Sequence, residues 1–321
     1  MDLIDSVHAG LLSVVSPAGR HGRLTILSFH RVLKEPDPLY PSEPDVSRFR
    51  LILDLVKSVC CVVSLEEGVV RLTSGSLPPR ALAVTLDDGY RNNLRVAKPA
   101  LVEFGLPATV FVAAAPVRQG IMWNDRIVEA LRGAHGVYDL QDIGLGYIDV
   151  NDENRIGLIE RLTQSLKYLE CAQREEVTIE ILRRMVGHSC SRVMLTEDEV
   201  IELEGDGITL GSHTLTHPIL LQQSDAEASA EIVGSREWLM ELTGRAPSLF
   251  AYPNGRRGCD YDERHVEMVR SAGFSAAVST EWGAAHRGLS LYELPRYTPW
   301  ERSRSGFLRR LIKTCAASHT H

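Results

Sequence analysis

The run Ala81-Leu82-Ala83-Val84-Thr85-Leu86 is short, apolar and partly β-branched, and it stops abruptly at Asp87-Asp88-Gly89. Such a run reads as a buried strand, so two adjacent carboxylates sit where a strand ends. Within a strand, neighbouring side chains point to opposite faces. Past its last pair, Gly89 can relax the backbone so that both acids turn toward one cavity. In an α/β fold the exit of a parallel strand is where chemistry is usually built.

An Asp-Asp-Gly alone also suits a solvated turn. A second cluster, Ile208-Thr209-Leu210-Gly211-Ser212-His213-Thr214-Leu215-Thr216-His217-Pro218, argues for more: it too is an apolar strand ending in metal-competent residues. Two histidines and a carboxylate make an open catalytic metal site. Pro218 disfavours helical geometry at the preceding residue, so the His213-x-x-x-His217 spacing is expected on a loop or single turn. The intervening Thr214, Leu215 and Thr216 offer no base. One acid of the Asp-Asp pair would complete a His-His-Asp set on a divalent metal, while the other deprotonates the metal-bound water that attacks a carbonyl. A leaving amine needs a proton, and His30, at the exit of the apolar run 24–29, can donate it.

Strand patterns at 24–29, 61–63, 81–86, 108–113, 207–212, 248–252, 274–279 and 291–297 alternate with helical ones. The helices are expected from the Asp45 cap to about 58, from Ser64 to the turn at 74–79, and at 92–104, 224–243, 261–272 and 304–317, with a kink at Pro99. An amphipathic lead, 1–22, is expected to pack on the domain. Strands alternating with helices mean a parallel sheet or barrel. Between about 114 and 206 the alternation breaks: no strong strand appears, and helical patterns run at 124–133, 153–170, 173–186 and 196–204. The stretch is expected to be a helical insertion within a single barrel domain spanning 1–321.

A net charge of −7 argues against a nucleic-acid partner, and no apolar run reaches membrane-spanning length. Asp2 and Asp5 precede the first basic residue, Arg20, so the basic region of a secretory signal is missing and a cytoplasmic location is expected. The six cysteines, Cys60, Cys61, Cys171, Cys190, Cys259 and Cys315, show no C-x-x-C spacing and are expected to be reduced.

Thr85-Leu86-Asp87-Asp88-Gly89-Tyr90 resembles the first motif of the polysaccharide deacetylases, carbohydrate esterase family 4 with its NodB-homology domain. His213-Thr214-Leu215-Thr216-His217 resembles the second motif and Phe250-Ala251-Tyr252-Pro253-Asn254-Gly255 the third. The similarity covers about 23–113 and 195–300 and leaves out the insertion. It implies that Asp87 is the general base, that Asp88, His213 and His217 bind the metal, and that the fold is a distorted (β/α) barrel of about seven parallel strands. Tyr252, Pro253 and Asn254 would form part of the substrate groove, a backbone N–H near Asn254 helping to hold the oxyanion.

This chain departs from the family pattern in two places. Ala251 stands where the family carries an arginine that orients the base, and Arg296 is expected to substitute for it. The late Leu-x-His acid motif is absent. Leu27-Ser28-Phe29-His30-Arg31-Val32 instead resembles a permuted subgroup, the poly-N-acetylglucosamine deacetylases, which makes His30 the acid. The implied reaction is removal of an acetyl group from an N-acetylated saccharide with one divalent ion, zinc first, cobalt, nickel or iron as alternatives. Two alternatives are a sugar O-acetyl esterase or other amidohydrolase on the same metal site, and a catalytically silent carbohydrate-binding module. Trp123 and Trp282 could stack on sugar rings or pack in the core. His8, His21, His135, His188, His265, His286, His319 and His321 have no companion at ligand spacing and are expected to be surface or structural.

Overall fold

A computed structural model describes residues 3–186 and 191–317. All eight apolar runs become strands. In chain order the elements are α1 (Leu3–Val15), β1 (Arg23–Phe29), α2 (Val46–Val59), β2 (Cys61–Val62), α3 (Leu65–Ser74), β3 (Ala81–Leu86), α4 (Lys98–Phe104), β4 (Ala108–Val112), α5 (Ala114–Gln119) and α6 (Trp123–Arg132). Then follow β5 (Gly136–Leu140), β6 (Gly146–Val150), α7 (Arg155–Leu166), α8 (Cys171–Val186), α9 (Glu197–Leu203), β7 (Ile208–Ser212) and α10 (Asp225–Thr243). The chain ends with β8 (Leu249–Ala251), α11 (Glu263–Ser271), β9 (Ala276–Trp282), β10 (Ala284–His286), β11 (Leu294–Arg296) and α12 (Arg304–Ala316).

Parallel strands run in the order β1-β3-β4-β7-β8-β9-β11. The ring closes where the Ser28 N–H donates to the Tyr297 carbonyl at 3.0 Å and the Tyr297 N–H to that of Ile26 at 2.8 Å. These seven strands form the distorted barrel. Short β2 pairs with the start of β3, at Ala81 and Leu82, below the point where β4 takes over at Thr85 and Leu86. β10 runs antiparallel against the start of β1, an element the sequence pattern did not signal.

Alternation along the strands sorts their side chains into two layers. Ile26, Ala81, Ala83, Phe111, Leu249, Ala251, Ala276, Val278 and Leu294 form one cluster, which α3 joins through Leu65, Val69 and Leu72 against Leu24 at the start of β1. The out-of-phase set, including Leu27, Phe29, Leu82, Val84, Leu86, Val110 and Val112, packs against α2, α4 and α12. The first set fills the barrel. Its small alanines make room for the ring of Phe111.

Helix starts follow local chemistry. Asp45 and Ser64 accept the N–H groups of Arg48 and Glu67, and Thr196 and Ser224 build reciprocal caps with Glu199 and Glu227. The kink expected at Pro99 is replaced by a wider turn. Residues Asn93–Ala97 wind as a π-helix before α4 takes Pro99 into its first turn, where a missing N–H costs nothing.

The stretch 114–206 is not purely helical. β5 and β6 pair antiparallel as a hairpin, from Gly136↔Val150 to Leu140↔Gly146. Only Leu140, Ile148 and Val150 of the hairpin are buried, so its apolar signal was too thin to read as strands. These residues join Trp123, Ile127, Leu131, Leu158, Leu162 and Ile181 in a core of the insertion's own, to which Leu39 and Tyr40 add from the Pro-rich loop at 36–44. Among the described residues no helix is long and apolar enough to cross a membrane.

At Gly211 in β7 an added Cβ would lie 2.4 Å from Cδ1 of Phe111 and 3.2 Å from the Leu249 carbonyl. Neither the ring nor the strand has space to move. Gly211→Ala is expected to lower stability by about 1–3 kcal/mol, read as a lower urea midpoint at unchanged slope; an unchanged midpoint would contradict this packing.

Candidate active site

The turn after β3 separates the two acids. Asp87 still follows the strand, its N–H donating to the Phe29 carbonyl at 2.9 Å. Asp88 and Gly89 then take left-handed backbone, at φ +75° and +87°. Glycine accepts that region freely, but a non-glycine residue there costs of order 1–3 kcal/mol, so the surroundings must hold Asp88 in place. The backbone reversal is therefore carried by Asp88 itself and not by Gly89 alone.

The second loop is built in the same way. His213 prolongs β7, its N–H donating to the Val112 carbonyl at 3.1 Å, and Thr214 and His217 are left-handed at φ +66° and +57°. Glu231 of α10 supports the loop by accepting the N–H groups of Leu215 and Thr216 at 2.8 Å each, and the Thr216 hydroxyl at 2.6 Å. The His213-to-His217 segment is a loop, as Pro218 implied.

These two turns bring Asp88, His213 and His217 together, with one ligand atom from each within 4.8 Å of the others. Asp88 Oδ1 lies 3.4 Å from His213 Nε2 and 3.5 Å from His217 Nε2. His213 Nδ1 donates to the Ala251 carbonyl at 2.7 Å, which orients the ring with Nε2 toward Asp88. Burial holds the His217 imidazole down to about 3. Burial opposes the charge on Asp88, but the neighbouring histidines, His213 first, outweigh it and hold the carboxyl well below the usual range. Among the described residues, Asp88 Oδ1 and His217 Nδ1 are buried with no hydrogen-bond partner. Two imidazoles and a carboxylate with an unspent acceptor fit a divalent cation, and these three residues would hold it.

Asp87 faces elsewhere. Burial again opposes its charge, and the Arg296 guanidinium, with Nη1 2.7 Å from Asp87 Oδ1, more than compensates and lowers its carboxyl. Arg296 is pinned in turn, donating to the Ser279 carbonyl at 2.8 Å and the Thr85 hydroxyl at 3.3 Å. The guanidinium absent from position 251 thus arrives from the last barrel strand.

His30 lies at the exit of β1, its carbonyl accepting from Asn93 Nδ2 at 2.9 Å. Burial disfavours a charged ring there, yet the carboxylates of Asp88, Asp87 and Glu43 prevail and raise its pKa. Glu43 was not anticipated: it sits in the Pro-rich loop and accepts the Arg31 N–H at 3.1 Å. No local pattern could mark it, because the loop is placed by pairings such as the bridge between Leu33 and Asp45 and the Tyr40 hydroxyl on Asp125. The Ala251 carbonyl was equally invisible, being backbone.

Of the third-motif residues, Tyr252 and Pro253 are buried and Asn254 is half-buried. The Tyr252 ring stacks on Tyr261 at 3.9 Å inside the core, so it offers no side chain to a groove. Asn254 turns the chain at φ +59°, its carbonyl accepting the Thr280 hydroxyl at 2.6 Å. Trp123 is buried with the Arg174 guanidinium 4.7 Å above its ring, and Trp282 donates to the Thr314 hydroxyl beneath Arg310. One face of each ring is covered by a guanidinium, and Trp282 remains 38% exposed. The five described cysteines are free, while Cys190, His188, His319 and His321 lie outside the described residues. His265 caps α11 and binds the Leu220 carbonyl, a structural role.

The family model for polysaccharide deacetylase matches residues 74–277, across the insertion as well as the first three motifs. A Bacillus subtilis (strain 168) protein, YxkH, itself named as a polysaccharide deacetylase, is 28% identical over 121 residues, 38% of this chain and 41% of that relative. The matched part thus spans about two fifths of the relative's length. Among solved structures the fold resembles Streptococcus pyogenes deacetylase PplD in complex with acetate: TM-score 0.61, 18% identity, 91% of this chain and 98% of that one. IcaB from Ammonifex degensii gives TM-score 0.59 and 19% identity over 94% and 99%. A de-N-acetylase from Aggregatibacter actinomycetemcomitans gives 0.57 and 15% over 90% and 99%. With its strand-end acids, its histidine loop and a family match over most of its length, the chain belongs to the polysaccharide deacetylase family.

Proposed function

We propose that the protein is a metal-dependent deacetylase that hydrolyses the N-acetyl group of an N-acetylated saccharide to acetate and a free amine. The observation that carries this reading is one buried carboxylate grouped with two imidazoles, beside a second carboxylate that a guanidinium holds. Two of the structurally similar proteins, a deacetylase in complex with acetate and a de-N-acetylase, agree with it.

Asp88, His213 and His217 would hold a divalent ion, zinc first among the candidates, which would supply Lewis acidity at the amide carbonyl and the attacking water. Asp87, ionised and oriented by Arg296, takes the proton from the attacking water as the new carbon–oxygen bond forms. A backbone N–H near Asn254 helps to hold the charge that develops on the carbonyl oxygen. His30, its pKa raised by the carboxylates around it, gives a proton to the nitrogen as the carbon–nitrogen bond breaks. Each of these two side chains moves one proton.

Asp87→Asn should retain one metal ion per chain and lose acetate release by at least about 100-fold; full activity would remove Asp87 as the base. His217→Ala should lose the ion itself, measured as bound metal after dialysis, and retention at one per chain would exclude this ligand set. Assaying N-acetylated and O-acetylated saccharides in parallel separates amidase from esterase, with acetate from the O-acetyl arm alone counting against the proposal. Arg296→Met strands a buried carboxylate and should cost about 3–5 kcal/mol of stability. An unchanged urea midpoint would show that Asp87 does not need its guanidinium.

A further inference from the structure

Next to the histidine loop lies a cavity of about 340 Å³, walled by Thr216, by α5 and by α8, with Trp123, Cys171 and Arg174 among its lining. Arg174 is 3% exposed. One face of its guanidinium covers the Trp123 ring. Among the described residues only Nη2 has hydrogen-bond partners, and both are distant: the His217 carbonyl at 3.4 Å and Cys171 Sγ at 3.7 Å. Nε is buried without an acceptor, and among the described residues Arg174 forms no ion pair. A guanidinium has five N–H donors in a rigid fork, so leaving most of them unspent inside a protein is costly.

Three carboxylates also line this cavity, and each is already engaged. Glu175 pairs with Arg126 at 2.6 Å. Glu231 accepts the three donors of the histidine loop. Glu170 accepts the N–H groups of Ala172 and Gln173 at the start of α8. The donor fork of Arg174 is what remains to be matched from outside.

We propose that this cavity is a subsite for an oxyanion, carboxylate or phosphate, received by Arg174 and carried on a sugar unit neighbouring the one that is deacetylated. A planar fork matches both oxyanions in bidentate fashion. Thr216 of the histidine loop lines the cavity and Arg174 reaches the carbonyl of His217, so a ligand held there lies beside the loop that carries the two histidines. The assignment to substrate rests on the deacetylase reading; the oxyanion site itself does not.

Calorimetric titration of the full chain with inorganic phosphate and with glucuronate tests it, using wild type, Arg174→Gln and Ala172→Trp. The last leaves the guanidinium in place and fills the cavity from an exposed position at the start of α8. At least one probe should bind saturably to wild type, and both variants should weaken it by about 10- to 100-fold. Phosphate alone points to phosphorylated saccharides and glucuronate alone to acidic sugars. No saturable binding, or binding unchanged in both variants, overturns the proposal. Where acetate release is measurable, Arg174→Gln should lower the ratio of kcat/KM for anionic over neutral N-acetylated saccharides by a similar factor. A chain that binds the probes through Arg174 yet releases no acetate counts against the deacetylase reading and supports the oxyanion site.

Discussion

Two carboxylates adjacent in sequence and both buried repel each other, and neither can stay ionised unless each meets its own positive partner. The site is arranged around that constraint. Asp87 turns to a guanidinium, a cation that never releases its charge, while Asp88 turns to two imidazoles. One acid is therefore fully satisfied by protein, and the other is left with an acceptor that only an added cation can satisfy. The division between base and ligand that the proposed reaction needs follows from this asymmetry.

Closure of the barrel makes the asymmetry possible. Arg296 stands at the end of a strand only three residues long, and reaches Asp87 because β11 pairs with β9 on one side while Tyr297 pairs with β1 on the other. In an open sheet the first and last parallel strands would lie at opposite edges. Closing the ring sets the exits of β1, β3, β7, β8 and β11 around one rim, so that His30, the two acids, the histidines, the Ala251 carbonyl and Arg296 converge.

The insertion is tied to the same rim and does not merely protrude from it. Asp125 of α6 is fully buried and accepts Arg31 Nη1 at 3.0 Å and the Tyr40 hydroxyl at 2.9 Å. The Arg31 guanidinium lies between the rings of Tyr40 and Tyr90, 4.3 and 4.7 Å from their centroids. The residue after His30, the residue after Asp-Asp-Gly and the Pro-rich loop thus share one buried cation with the insertion. Breaking a pair this deep leaves an uncompensated charge, so the contact fixes how the insertion meets the rim.

Strand runs, helix caps and the parallel alternation were legible in the chain because they depend on local patterning: apolar runs of strand length, Ser, Thr and Asp at helix starts, and glycines where a turn needs them. The metal-competent residues were legible for the same reason, since strand ends advertise themselves. What the chain alone could not disclose depends on contacts between residues distant in sequence. The hairpin of β5 and β6 has too few buried residues to show a period, and Tyr252 looked like part of a groove until its ring was found stacked in the core. Glu43, the Ala251 carbonyl and the unpaired guanidinium of Arg174 acquire meaning only from what folding places beside them. The sequence by itself determined which side chains could ionise or ligate and that they stand at strand exits, because both are properties of residue type and local period. Tertiary structure alone decided which acid meets the guanidinium and which meets the imidazoles, because that depends on barrel closure and on the left-handed turn at Asp88.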